Sequence, residues 1–183
     1  MSSGAEIGIS NGTAGAQGSI EQMNSEIAAI KNEIKLTEGI ITNKFHDCQS
    51  GKEYKVTIDS NNRIFTQNGI NKANFIIDQS GTLHIGLGHS FLAKGKAVNA
   101  AGIIKINSRG LVRSICNLSG HYQPTIPETI RYLNYMSAKG YVKPSTWITI
   151  YSFDSNKSGY ITKKAVVYNG PYKYLNRRFS HEA

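Results

Sequence analysis

The chain has 183 residues, 39% of them hydrophobic, which is enough for one buried core and too few for two domains of ordinary size. No apolar run approaches the roughly 20 residues of a membrane-spanning helix, and no apolar stretch follows a basic start, so neither a membrane span nor a Sec signal peptide is expected. Lysine and arginine number 21 against 12 aspartate and glutamate. The formal charge of +9 is typical of chains that meet nucleic acid, a membrane surface or an acidic protein, or that are selected to stay soluble or to be exported unfolded.

The N-terminal part predicts a leader followed by a helix. Residues 1–18 are mostly Gly, Ser, Ala, Thr and Asn, which predicts a flexible leader or linker ahead of a single α+β domain over 19–183. Ser19 and Gln22 have the spacing of a capping box, and apolar residues then recur at steps of three and four, which predicts an amphipathic helix over 19–38. Two interpretations of its apolar stripe stay open: packing on the domain core, or docking in a helical hairpin or on a partner.

The region 52–118 alternates short β-branched and aromatic runs with turn residues, and it predicts a strand-rich core. Three hairpins are expected, with turns at 59–62, 79–81 and 107–110. A second helix is predicted over 126–139, ending near Gly140, and basic strands are predicted within 146–183. The predicted fold class is therefore α+β, an antiparallel sheet with an N-terminal amphipathic helix and a helix after residue 126.

The C-terminal segment is basic and aromatic. Residues 155–183 carry six Lys and Arg residues against Glu182 alone, so the basic surface is expected there. The interleaved aromatic residues are Tyr168, Tyr172, Tyr174 and Phe179. This mixture occurs where proteins follow phosphates and stack bases, and also in protein interfaces. A protein-docking or solvated face is the favoured interpretation, and nucleic acid is the less favoured partner.

The stretch FDSNKSGYITKKA has part of the spacing of a calcium-binding EF-hand loop. Asp154, Asn156, Ser158 and Gly159 fall on loop positions one, three, five and six. Ala165 stands where the bidentate Glu belongs, and strand-forming residues precede the loop where a helix is needed. A tight hairpin rich in Asx residues is therefore predicted, with no metal.

Polar and aromatic side chains beside glycines concentrate in the middle of the chain. They are Asp78, His84, His89, Ser90, Phe91, His121 and Tyr122. Residues of these types on loops held by a sheet often bind or catalyse, so one interpretation is a cleft that stacks a planar ligand and fixes its polar edge. The other is that His121 and Tyr122 are turn aromatics capping the sheet, and that His84 is a half-exposed strand residue.

Three blocks over residues 75–140 occur in a fixed order. They read I-I-D-x-x-G-x-L, G-H-S-F-L-A-x-G-x-x-V-x-A-A-G and S-G-H-Y-x-P-T. This succession resembles a module of plant calmodulin-binding proteins with an IQ motif and of C-terminal domains of bacterial polymorphic toxins and effectors, related to effectors that ADP-ribosylate threonine on ubiquitin. The resemblance implies a toxin or effector domain with an ADP-ribosyltransferase-like fold, which splits NAD as a substrate and modifies a host protein.

The resemblance also implies secretion or translocation into a target cell, with a larger delivery or parent toxin polypeptide. For the NAD site it implies a wall of imidazole, hydroxyl and aromatic side chains. They are His84, His89, Ser90, Phe91, His121 and Tyr122. His84 or His89 with Ser90 would hold the ribose, and Tyr122 or Phe91 would face the nicotinamide.

Two residues are candidates for the catalytic carboxylate. Such chemistry needs a carboxylate that stabilises an oxocarbenium-like centre, and Asp78 matches the strand-end aspartate of the first block. Many bacterial members carry Glu after A-A-G, where this chain has Ile103. Glu128 is a possible substitute, although its position equally suits the positive end of a helix.

Two other functions stay open. One is a non-catalytic protein-binding module that uses the same cleft and the basic tail. The other is a nucleic-acid-binding domain.

Overall fold

The computed structural model describes residues 40–179. The predicted leader 1–18, the predicted helix 19–38 and the end of the chain from residue 180 lie outside the described residues. The strands are β1 Lys52–Tyr54, β2 Val56–Ile58, β3 Ile64–Thr66, β4 Lys72–Ile77, β5 Leu83–Leu87, β6 Ala100–Ile106, β7 Val112–Cys116, β8 Trp147–Ser155 and β9 Ile161–Pro171. The α-helices are α1 His89–Leu92, α2 Ile126–Ala138 and α3 Leu175–Phe179, and 3-10 turns lie at Gln67–Gly69 and Tyr172–Tyr174.

Seven strands form one sheet in the order β1-β5-β4-β6-β7-β8-β9, and β2 pairs with β3 in a separate hairpin. Every pairing in the large sheet is antiparallel except that of β7 with β8. The predicted α+β class with an antiparallel sheet is therefore confirmed, and the three hairpins predicted from the turn residues are present. A closer likeness to ADP-ribosyltransferases stays a prediction.

The hairpin turns share one local motif. An Asp or Asn opens each turn, and its Oδ1 accepts the backbone N–H groups two and four residues later at 2.9–3.0 Å. These residues are Asp59, Asp78, Asn107 and Asn156. The fourth residue of each turn has a positive φ, and those residues are Asn62, Gly81, Gly110 and Gly159. Because the motif uses neighbours in sequence only, turn chemistry alone predicts it.

Helix α2 covers one face of the sheet. Thr125 caps its start, because the Thr125 hydroxyl accepts the Glu128 N–H at 3.2 Å and the Glu128 carboxylate accepts the Thr125 N–H at 2.9 Å. Tyr132 is fully buried, meets Phe75 edge-on and donates its hydroxyl proton to the Ala101 carbonyl at 3.1 Å. The core therefore lies between α2 and the face of β4 that carries Phe75.

Within residues 40–179, the opposite face of the sheet is covered at one end only. Side chains alternate along β4, so Lys72 and Ile76 lie on the face away from Phe75. Helix α1 lies over the Ile76 end, where Ile76 and Leu92 are buried. No described residue covers the Lys72 end of this face, and a groove lies there.

The parallel pairing of β7 with β8 ends at Cys116 and Thr149, and the Asn117 side chain continues it. Asn117 is fully buried. Its Oδ1 accepts the Tyr151 N–H at 2.8 Å, and its Nδ2 donates to the Tyr151 carbonyl at 3.0 Å. The same Nδ2 lies 3.1 Å from the Pro124 carbonyl oxygen and from Thr129 Oγ1. One amide thus joins β7, β8 and the start of α2.

Within residues 40–179, no helix combines the length and the apolar character that crossing a bilayer requires.

Candidate functional site

Asp78 and His84 lie together on the sheet, with Glu53 as a third member that sequence reasoning missed. His84 Nδ1 lies 2.7 Å from Glu53 Oε2, and His84 Nε2 lies 2.9 Å from Asp78 Oδ2. Burial disfavours the charged ring, but the hydrogen bonds to the two carboxylates outweigh it and raise the pKa of His84. Burial likewise acts to raise the pKa of Asp78, and the hydrogen bonds that it accepts, above all from His84, lower it. The arrangement favours an imidazolium between two carboxylates.

Asp78 has a second, structural task. Its Oδ1 holds the β4–β5 turn, as the opening Asp or Asn does in each of the other three hairpins. Only its Oδ2 is engaged with His84. A small pocket of about 370 Å³ lies beside this cluster and is lined by Glu53, His84 and Thr82 among others.

His89 and Ser90 are buried and bonded within the protein. His89 Nε2 donates to the Gly102 carbonyl at 2.7 Å, and burial lowers the pKa of His89 to about 4, so the ring is neutral near pH 7. Ser90 Oγ accepts the Gln49 N–H at 2.9 Å, and the Ser90 N–H donates to Gln49 Oε1 at 3.0 Å. These bonds hold the segment before β1 onto α1. Phe91 is 37% exposed on the same short helix.

Tyr122 is also part of the core. It is fully buried, its hydroxyl donates to the Lys96 carbonyl at 2.6 Å, and burial raises its pKa to about 12. The contacts of Tyr122 therefore match the interpretation of a turn aromatic that caps the sheet. Glu128, the candidate substitute carboxylate, is engaged in the capping box of α2.

His121 is partly buried beside a carboxylate that sequence reasoning did not select. Its Nε2 lies 2.9 Å from Asp47 Oδ1. The two groups are not aligned for a hydrogen bond. The ring packs on Phe45 at 4.8 Å between centroids, and Phe45 packs on Tyr160 at 5.1 Å. Asp47, His121, Phe45 and Tyr160 are called here the Asp47–His121 site.

The loop SGHYQPT is held from two sides. Lys44 donates from Nζ to the Tyr122 carbonyl at 2.9 Å and from its backbone N–H to the His121 carbonyl at 2.7 Å. On the other side Gln123 donates from Nε2 to the Gly159 carbonyl at 2.6 Å, in the β8–β9 turn that carries Tyr160. The loop therefore fixes where the Asp47–His121 site is formed.

A larger site lies at the other end of the sheet. A groove of about 1260 Å³ is lined by four cationic side chains and two exposed aromatic ones, and it is called here the basic groove. Its cationic residues are Lys72, Lys105, Arg113 and Lys143, and its exposed aromatic residues are Phe65 and Trp147. No Asp or Glu is among its lining residues in the described part of the chain.

Sequence reasoning placed the basic surface in the C-terminal segment, and the groove is built from earlier residues. Three of the six C-terminal cations lie instead over aromatic rings of their own segment. Lys173 and Arg177 lie over Tyr174 at 5.1 and 5.4 Å, and Arg178 lies over Phe179 at 5.0 Å. No residue of the described range 155–179 lines the groove. Lys72 and Lys105 carry no local motif, because the register of β4 and β6 brings them together.

Comparisons with protein-family models, with curated proteins and with solved structures gave no match for this chain. The resemblance to effector ADP-ribosyltransferases and the residue roles that it implies therefore stay predictions.

Proposed function

We propose that this domain is a binding module that holds a polyanionic ligand in the basic groove. Among the described residues, none of the four lining cations forms an ion pair with a carboxylate. A concave surface of one charge sign concentrates the field and attracts ligands of the opposite sign. The groove therefore offers an anion four charges that no carboxylate of residues 40–179 pairs with.

The pairing of Lys72 with Lys105 carries this proposal. The two residues are direct cross-strand partners on β4 and β6, and both lie on the open face of the sheet. Like charges directly opposite each other destabilise an antiparallel pair. An anion between them would remove this repulsion, so the free protein keeps an unfavourable contact that a ligand relieves.

Lys105→Glu is expected to weaken anion binding and to stabilise the free protein. The substitution removes one attractive charge and adds a repulsive one, which should reduce affinity for inorganic polyphosphate by about tenfold or more in low salt. It also places opposite charges across β4 and β6, which should raise the free energy of unfolding by about 0.2–1 kcal/mol. Titration calorimetry and thermal melting measure the two effects.

Lys157→Glu is the matched control, because Lys157 is exposed in the β8–β9 turn and makes the same change in net charge. We expect this variant to retain nearly all of the affinity. An equal loss in both variants would show that net charge alone attracts the anion. Unchanged affinity in Lys105→Glu would contradict the proposed site.

ADP-ribosyl transfer is the second candidate function, and the Asp47–His121 site is the observation that favours it. The resemblance leaves the catalytic carboxylate unfilled at Ile103, and Asp47 lies beside the histidine of the block SGHYQPT. Asp47 is 57% exposed in its side chain, and the His121 ring beside it packs on Phe45, which in turn packs on Tyr160. An exposed carboxylate beside aromatic rings suits a cationic ribose centre next to a flat leaving group.

In this reaction the bond between nicotinamide and ribose C1′ breaks, and its electron pair leaves with nicotinamide. The acceptor side chain forms the new bond to C1′ and releases its proton to a base. Asp47 would stabilise the positive charge at C1′, and His121 Nε2 lies 2.9 Å from its carboxylate. Asp78 and Glu128 remain alternative carboxylates for the same task.

Labelled NAD incubated with the protein and a cell lysate tests this second function. We expect labelling of one or a few proteins, loss of that labelling in Asp47→Asn, and full labelling in Asp154→Asn, a matched change at an exposed strand residue. Absence of both labelling and NAD hydrolysis at high protein concentration would exclude the reaction.

Tyr122 is better tested as Tyr122→Phe than as Tyr122→Ala, because truncating a fully buried ring costs about 3–5 kcal/mol of stability.

A further inference from the structure

We infer that the ligand of the basic groove is single-stranded nucleic acid, with a base stacked on Trp147 and phosphates on the lysines. The inference rests on the proposed function, because it names the ligand class of the same groove. It departs from the sequence-based preference for a protein partner, and three observations support it: the state of the tryptophan, the order of the side chains along the sheet, and the size of the groove.

Trp147 has an exposed aromatic face, and its single hydrogen-bond donor is already used within the protein. It is 46% exposed and lines the groove at the first residue of β8. Its indole N–H donates to Asn169 Oδ1 at 2.7 Å, and that oxygen also accepts the Thr149 hydroxyl at 3.0 Å. The one polar atom of the side chain is satisfied within the protein, so the ring is held in place while much of its surface is in water. A fixed, exposed ring of this kind suits stacking on a base.

The strand register places the tryptophan and the lysines in one row. Lys72 on β4 pairs with Lys105 on β6. Ser114 on β7 pairs with Lys105 on one side and with Trp147 on β8 on the other. Neighbouring strands lie about 4.8 Å apart, so the row spans about 14 Å. It is cationic at one end and aromatic at the other, which matches a ligand that carries both phosphates and flat rings.

The size and chemistry of the groove favour a single strand over a small molecule, a duplex or an acidic peptide. Sites for small molecules occupy roughly 300–1000 Å³, and the groove of about 1260 Å³ suits a segment of several nucleotides. A duplex keeps the faces of its bases inside the stack, so only an unpaired base can lie on an aromatic ring. An acidic peptide would match the lysines and leave Trp147 without a flat partner.

The test compares strands of about 10 nucleotides, within the range that sheet-based single-strand sites cover. A thymine strand, an abasic strand with the same number of phosphates and a duplex of the same length are titrated into the full chain. The thymine strand is expected to bind about 5- to 100-fold more tightly than the abasic strand. Trp147→Ala should remove this difference and Trp147→Phe should restore part of it. Unchanged abasic-strand binding in Trp147→Ala would show that the variant is folded.

The phosphate contacts are tested by salt. Lys105→Glu should reduce the slope of log affinity against log salt concentration by about 0.7 or more, the contribution of one contact to a single strand. Equal affinity for thymine and abasic strands, tighter binding of the duplex, or equal binding of poly-glutamate would overturn the nucleic-acid inference while the anion site stands. If no anion responds to Lys105→Glu, the proposed function fails together with the inference.

Discussion

Gly102→Ala is expected to lower the free energy of unfolding by about 3 kcal/mol or more, at the upper end of the range for overpacked interiors. Gly102 lies in the middle of β6, between β4 and β7. A Cβ built there would overlap the carbonyl oxygen of Cys116 and lie 3.1 Å from Cε1 of Phe75. Because the first of these atoms is backbone, relief requires β7 to move. Chemical denaturation of the purified variant measures the loss.

Gly120→Ala is the matched control for this prediction. A Cβ at Gly120 meets no atom within 4 Å, and the residue lies in the loop SGHYQPT. We expect a change within about 0.5 kcal/mol, as for an ordinary surface substitution. Equal stability of the two variants would contradict the steric argument. A stable Gly120→Ala variant that loses NAD-dependent labelling would instead locate a ligand against that loop.

Asn117→Ala is expected to cost about 2–4 kcal/mol, the second large effect on stability. The substitution leaves the Tyr151 N–H and carbonyl group and the Pro124 carbonyl without their partner in a buried setting. Each unsatisfied buried polar group costs about 1–3 kcal/mol, and partial access of water at Tyr151 reduces the sum. Denaturant midpoints should show the loss with an unchanged slope.

Asn61→Ala provides the comparison for Asn117. Asn61 is exposed in the β2–β3 turn, where its backbone N–H, rather than its side chain, takes part in the turn motif. Little or no change is expected in this variant. If Asn117→Ala is as stable as Asn61→Ala, the joint between β7 and β8 does not depend on the side-chain amide.

The parts of the fold that sequence predicts are those fixed by neighbouring residues. The hairpins can be predicted from their turn residues. Asp59, Asn107 and Asn156 open their turns, and their side-chain oxygens accept hydrogen bonds from backbone amides two and four positions later. The start of α2 can be predicted in the same way, because Thr125 and Glu128 are close in sequence and form a capping box. The Asx-rich hairpin predicted for FDSNKSGYITKKA is also present, with Asn156 at its first turn position.

The parts that sequence does not predict depend on long-range register. Nothing local to Lys72 or Lys105 indicates that they face each other, and the basic groove was therefore missed. The burial of Ser90 and Tyr122 could not be predicted either. Their residue types in the motif are typical of ligand binding, and both are fully buried in the fold. Asp47 carries no motif of its own, and only the position of His121 in space draws attention to it.

The four turns that share an Asx motif have a consequence for the order of folding. Each closes a hairpin between strands that are adjacent in sequence, so its contacts form at little cost in loop entropy. The pairing of β7 with β8 joins strands that are separated by α2, and it is completed by the side chain of Asn117. We expect the hairpins to form early and this joint to form late. The slower stage in assembling the sheet is then the joining of these hairpins, by the parallel seam and by the pairings of β1 with β5 and of β4 with β6.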